Sequence, residues 1–179
     1  MGDAETKGDG PRLVLLHRSI GGDSLAGVIP TLASKFSVAA PSLPGFDGSE
    51  RPEWARSPRD LAAIVAGGLR SNGSERPILV GLGLGGWVAA EIAAASPELL
   101  RALVLVAPLG VQPLVGEITD PLLVSTEHYV EMGFAQTEAH DRAFEACELG
   151  SEQWKRREAN RDPVLHRRSA PIQECSYRK

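Results

Sequence analysis

The stretch PILVGLGLGG, residues 77–86, constrains the fold of this 179-residue chain more than any other. A short apolar run enters a knot of glycines, and the Ala-rich WVAAEIAAASPELL follows. An apolar run stopped by glycines and continued by good helix formers reads as a buried strand turning tightly into a helix. Two functional signatures fit the same letters. Gly81, Gly83 and Gly86 spell G-x-G-x-x-G, a dinucleotide-binding fingerprint. Gly81, Gly83 and Gly85 spell G-x-nucleophile-x-G, an elbow with glycine where the attacking side chain belongs.

The surrounding pattern alternates strands and helices. RLVLL (Arg12 to Leu16) is an apolar, β-rich run that ends in the polar turn HRSIGGD. Residues 24–35 form a short helix, and FSVAA (Phe36 to Ala40) a second strand. PSLPGFDGSERPE, dense in proline and glycine, is a loop. SPRDLAAIVAGGLR then begins a helix for a stated reason: Ser57 caps, Pro58 takes the first helical position, and Asp60 stands three residues after the cap. Pro77 to Val80 is the third strand, its helix closes near Pro97, and ALVLV (Ala102 to Val106) is the fourth, ending in APLG. Four apolar strands separated by helices predict an α/β fold, a mostly parallel sheet with both faces covered. Beyond about residue 115 the chain turns polar and helical in composition, with EHYVEMGF and EQWKRREAN as helices. The expected organisation is residues 1–11 as a disordered leader, 12–115 as the α/β core, 116–168 as a helical cap-like region and 169–179 as a flexible tail.

Composition narrows the partners. With 42% apolar and 23% charged residues the chain is globular, and a net charge of −4 gives no electrostatic case for nucleic acid. The basic clusters WKRRE and HRRS read as a solvated helix face and tail. MGDAETKGDGP lacks the apolar region of a secretory signal and no apolar run approaches a membrane span, so no membrane association and a cytoplasmic location are expected. MGDAET does match the short, permissive N-myristoylation pattern. Cys147 and Cys175 show no metal-ligand spacing and suggest a reducing compartment; no metal and no cofactor are expected.

The dinucleotide reading needs an acid at the end of the next strand, and that strand ends in Ala107 and Pro108. The elbow reading has its context met by three blocks. LVLLHRSIGGD, VAAPSLPGFDGSERP and PILVGLGLGGWVAAEIAAASPELLRALVLVAPLG together resemble the α/β-hydrolase family, in its order and spacing, over residues 12–115. PLVGEITDPLL, HYVEMGF and QWKRREANRDPVLH look more loosely like the helical cap of monoacyl and carbon-carbon bond hydrolases. The resemblance implies strands in the order second, first, third, fourth, and hydrolysis of esters or carbon-carbon bonds of small apolar molecules. It also implies an oxyanion pocket drawn from His17, Arg18, Ser19, Ile20 and the N–H of Leu84, with Gly81, Gly83, Gly85 and Gly86 as the elbow glycines.

Departures from that pattern predict impaired catalysis. Gly83 carries nothing to attack with, and loss of the nucleophile costs on the order of a million-fold in turnover. The family's acid and histidine follow the cap, whereas this chain stops at Lys179, so it reads as truncated on its C-terminal side. His128, His140 and His166 fall in cap-like or tail segments and receive no catalytic role. Arg18 stands where the family's loop has glycine, and Ser42 and Asp47 replace the Asp and Gly of its "P-D-x-P-G-x-G-x-S" segment, which predicts a less braced loop. His17 is expected as a buried turn histidine bonded to backbone. The leading expectation is binding of a small apolar ligand or ester with little serine-type hydrolysis. Three alternatives stand beside it: an active hydrolase using Ser19 or Ser42, a dinucleotide-binding module, and a non-enzymatic interaction protein. An open edge at the fourth strand also invites a homodimer.

Overall fold

The computed structural model describes residues 5–72, 75–112, 114, 115, 124, 128 and 132. The chain divides into two units, Met1–Val115 and Gly116–Lys179, and nearly all described residues belong to the first. Apart from residues 124, 128 and 132, the expected cap and tail, with His140, His166, Cys147 and Cys175, lie outside the described residues. His128 is described and exposed, its carbonyl accepting the N–H of Met132.

The first unit is a five-stranded sheet flanked by helices. Its strands are β1 (Thr6–Lys7), β2 (Arg12–Leu16), β3 (Ser37–Ala39), β4 (Ile78–Leu82) and β5 (Ala102–Val106). They run in the order β1-β3-β2-β4-β5, with β1 antiparallel to β3 and the other pairs parallel. The four apolar runs therefore take the expected order. β1 is new: Thr6 and Lys7 fall in the stretch expected as a leader, yet they pair with Ala39 and Val38. Two polar residues carry no periodicity to announce a strand.

Local chemistry explains the helices. α1 (Ile29–Ala33) is shorter than the 24–35 expectation, which divides into a 3-10 turn at Gly22–Leu25 and this helix. Pro30, with no N–H to give, sits in the first turn of α1. α2 (Pro58–Ser71) opens with a capping box: the Ser57 hydroxyl accepts the Asp60 N–H at 3.2 Å, and the Asp60 carboxylate accepts the Ser57 N–H at 2.8 Å. Its buried stripe is Leu61, Ala62, Val65, Ala66 and Leu69, at helical spacing. α3 (Leu84–Ala95) leaves the glycine knot directly, packs on α2 and lies over β4.

β2 is the central strand and carries the core. Leu13 and Leu15 pack on one face with Leu25, Val38, Ile29, Leu32 and Phe36, and each fully buried side chain of this size contributes about 2 kcal/mol. β5 behaves differently. All five of its residues are exposed, Val104 at 45% and Val106 at 47%.

Candidate functional site

The site forms where β2 and β4, parallel neighbours, both end and give way to loops. β4 runs two residues past the expected Val80 because Gly81 and Leu82 still pair with Leu105 and Val106. The chain then reverses direction at Gly83, with φ +51° and ψ −113°, a combination outside the regions open to most L-residues. Backbone hydrogen bonds hold it there. The Gly83 N–H donates to the Val106 carbonyl at 3.1 Å, and the Gly83 carbonyl accepts from Trp87 N–H at 3.1 Å and Leu109 N–H at 2.9 Å.

The other glycines are required by close approach. A Cβ on Gly85 would stand 2.5 Å from the Leu16 carbonyl oxygen and 2.6 Å from that of His17, and one on Gly86 would stand 2.9 Å from Pro108. A Cβ on Gly81 would collide with the Gly85 carbonyl. Gly83 is the exception. The three atoms nearest to its Cβ position all belong to Arg18, at 3.5 Å (Cγ), 3.6 Å (Cβ) and 3.8 Å (Cα), which is ordinary contact. The turn thus has the geometry of an elbow that presents residue 83, and residue 83 has no side chain.

Facing the elbow is the loop after β2. The Gly85 N–H donates to the His17 carbonyl at 3.1 Å, tying this loop to the first turn of α3. The His17 ring is fully buried and both its nitrogens are engaged: Nδ1 bonds the Arg18 carbonyl at 2.6 Å, and Nε2 accepts the Leu43 N–H at 2.9 Å. A carbonyl on one side and an N–H on the other fix the neutral tautomer with its proton on Nδ1. Burial pushes the His17 pKa below its ordinary value, against smaller raising effects of the Arg18 carbonyl and the Asp47 charge. His17 is therefore a brace between two loops. Arg18, Ser19 and Ile20 follow it, all half-buried, and Leu84 is half-buried at the first position of α3.

The second loop overturns one expectation. Ser42 and Asp47 do not leave it unbraced. Asp47 Oδ2 accepts the Ser42 hydroxyl at 2.7 Å and the Gly22 N–H at 2.9 Å, and it lies 3.8 Å from His17 Nε2. The Asp47 carboxylate, five residues after Ser42, bridges the loops. Asp47 holds φ +52°, a left-handed conformation that aspartate tolerates better than most residues. Phe46 meets the His17 ring edge-on at 5.1 Å, and the Ser49 hydroxyl bonds the Leu43 and Phe46 carbonyls at 3.0 and 2.6 Å. The Ser42 hydroxyl, weighed as an alternative nucleophile, donates its proton to Asp47, and both nitrogens of the nearby His17 are engaged elsewhere. Sequence reasoning missed Asp47 and Ser42 as braces, and Val106 and Leu109 as the groups that clamp Gly83. For the latter pair, the APLG that ends the fourth strand was the available signal.

Among the described residues no group of three or more His, Cys, Asp or Glu is placed to hold a metal ion. None of their helices is long and apolar enough to cross a membrane.

This chain belongs to the alpha/beta hydrolase family, whose model matches residues 13–176. The pimeloyl-acyl-carrier-protein methyl ester esterase of Aeromonas hydrophila is 41% identical over 105 residues, 58% of this chain and 40% of that protein. The 2-hydroxymuconate semialdehyde hydrolase of a Pseudomonas species is 37% identical over 106 residues, 59% of this chain and 38% of that protein. Among solved structures, a serine-to-glycine mutant of the N-acyl homoserine lactonase AidH, complexed with N-hexanoyl homoserine lactone, superposes with a TM-score of 0.60. It is 22% identical, covering 88% of this chain and 63% of that one, a likeness of fold. The chain spans about two-fifths of the length of the two curated relatives.

Proposed function

We propose that this chain binds a small acyl ligand at the elbow and hydrolyses esters at far below the rate of a serine hydrolase. One observation carries the reading: residue 83 holds the strained, backbone-clamped conformation that presents a nucleophile, and it is glycine. Covalent acyl transfer needs a nucleophilic side chain at that point, while binding needs only the surrounding N–H groups and walls. The methyl ester esterase and semialdehyde hydrolase relatives support a small acyl or carbonyl compound as the ligand class. Arg18, Ser19, Ile20 and the Leu84 N–H are the residues we assign to the pocket, with His17 holding the loop that carries three of them. A purified sample assayed against p-nitrophenyl butanoate tests the proposal. Turnover indistinguishable from buffer supports it, and turnover at an ordinary esterase rate overturns it.

The exposed edge of β5 supports a second role, pairing with a copy of the same chain. Its five uncharged residues bring no like charges opposite one another in an antiparallel pair. Sedimentation analysis decides: a mass that stays monomeric at high concentration removes the homodimer.

A further inference from the structure

A Cβ at residue 83 would face Arg18, whose Cγ, Cβ and Cα supply the three nearest atoms at ordinary contact distance. The position of Arg18 is fixed from both sides. Its carbonyl accepts the His17 Nδ1–H at 2.6 Å and the Gly21 N–H at 3.2 Å, and the preceding carbonyl accepts the Gly85 N–H. The charge it brings has no counter-ion among the described residues. Arg59 and Arg70 pair with Glu91 and Glu98, whereas no described carboxylate pairs with the Arg18 guanidinium. Asp47, the acid that bridges the neighbouring loops, already accepts the Gly22 N–H and the Ser42 hydroxyl. The stem of a half-buried arginine therefore stands over an elbow that lacks its side chain.

We propose that Arg18 makes this elbow a carboxylate site which, on the ligand-binding reading above, selects a small free acid over the matching neutral ester. A carboxylate neutralises the guanidinium through charge-assisted hydrogen bonds, which are roughly twice as strong as neutral ones. An ester leaves the charge unpaired. With glycine at residue 83 the bound acid meets no hydroxyl and undergoes no covalent step. One carboxylate oxygen takes the guanidinium, and the Leu84 N–H is available to the other.

Calorimetric titration of the full chain with hexanoate and with methyl hexanoate tests this, using the wild type, Arg18→Gln and Arg18→Lys. The wild type is expected to bind hexanoate about tenfold more tightly than the ester, corresponding to about 1.4 kcal/mol. Arg18→Gln loses that preference, so that it binds hexanoate and methyl hexanoate equally, and Arg18→Lys keeps part of it. Equal affinity of the wild type for acid and ester, or a preference that survives in Arg18→Gln, overturns the carboxylate site and leaves the ligand-binding reading intact. Binding of neither probe overturns both.

Discussion

Two regions meet at the candidate site and are held in place by different means. The elbow is held by backbone: three main-chain hydrogen bonds clamp Gly83, and Gly81, Gly85 and Gly86 leave room for chains to pass where a Cβ would collide. The loops facing it are held by side chains: His17, Ser42, Asp47 and Ser49 supply the bonds. A backbone-held turn keeps its shape whether or not a reactive group sits on it. A side-chain-held loop depends on each group that bridges it, and on that group's protonation state. The elbow here turns through glycine at residue 83, and the loop is bridged by the Asp47 carboxylate.

Substitutions within the elbow should break this contrast most strongly. Gly85→Ala forces a Cβ against two carbonyl oxygens and should cost more than about 3 kcal/mol in urea unfolding. Gly83→Ser meets no clash and bears only the strain of its φ, so about 1–2 kcal/mol is expected from the same measurement. Similar costs for the two would mean that the elbow is not held by close packing.

Breaking the facing loop comes next. His17→Ala leaves the buried Leu43 N–H without its acceptor and opens a cavity, for an expected loss of about 2–3 kcal/mol. His17 also sets a pH dependence. Its folded pKa lies below the ordinary value of 6.5, so the unfolded chain binds the proton more readily. The stabilisation is complete above 6.5 and is lost as pH falls through the lower folded value. Unfolding free energies measured from neutral to mildly acidic pH should show this fall in the wild type, and a shallower one in His17→Gln.

The carboxylate exchange gives the smallest effect and the sharpest check. Asp47→Gly removes the acceptor for Gly22 and Ser42 and should cost about 1.5 kcal/mol. Adding Ser42→Asp returns a carboxylate to the facing position, so the double variant should recover most of that loss. Simple additivity of the two changes in a double-mutant cycle would show that the positions do not share one role.

These contrasts also explain what was legible in the sequence. The α2 start could be read because Ser57, Pro58 and Asp60 act on one another within a single turn. The parallel strands and their order followed from apolar runs and the family blocks, and the glycine knot announced the turn. The Asp47 bridge could not be read. It depends on Gly45, Asp47 and Gly48, all at positive φ, folding a five-residue separation into a contact, and on Gly22 arriving from a distant loop. β1 was invisible for a similar reason, since Thr6 and Lys7 become a strand only through pairing with β3. The contact of Arg18 with the elbow was half legible: an arginine in a glycine's place signalled a changed pocket, but only the fold sets its stem over Gly83.

The proposed function rests on an elbow whose geometry is that of a nucleophile turn and whose residue 83 is glycine. Intact-mass spectrometry after incubation with a fluorophosphonate tests it most directly. The account predicts an unmodified wild-type mass; a stoichiometric phosphonyl adduct on the wild type would contradict it.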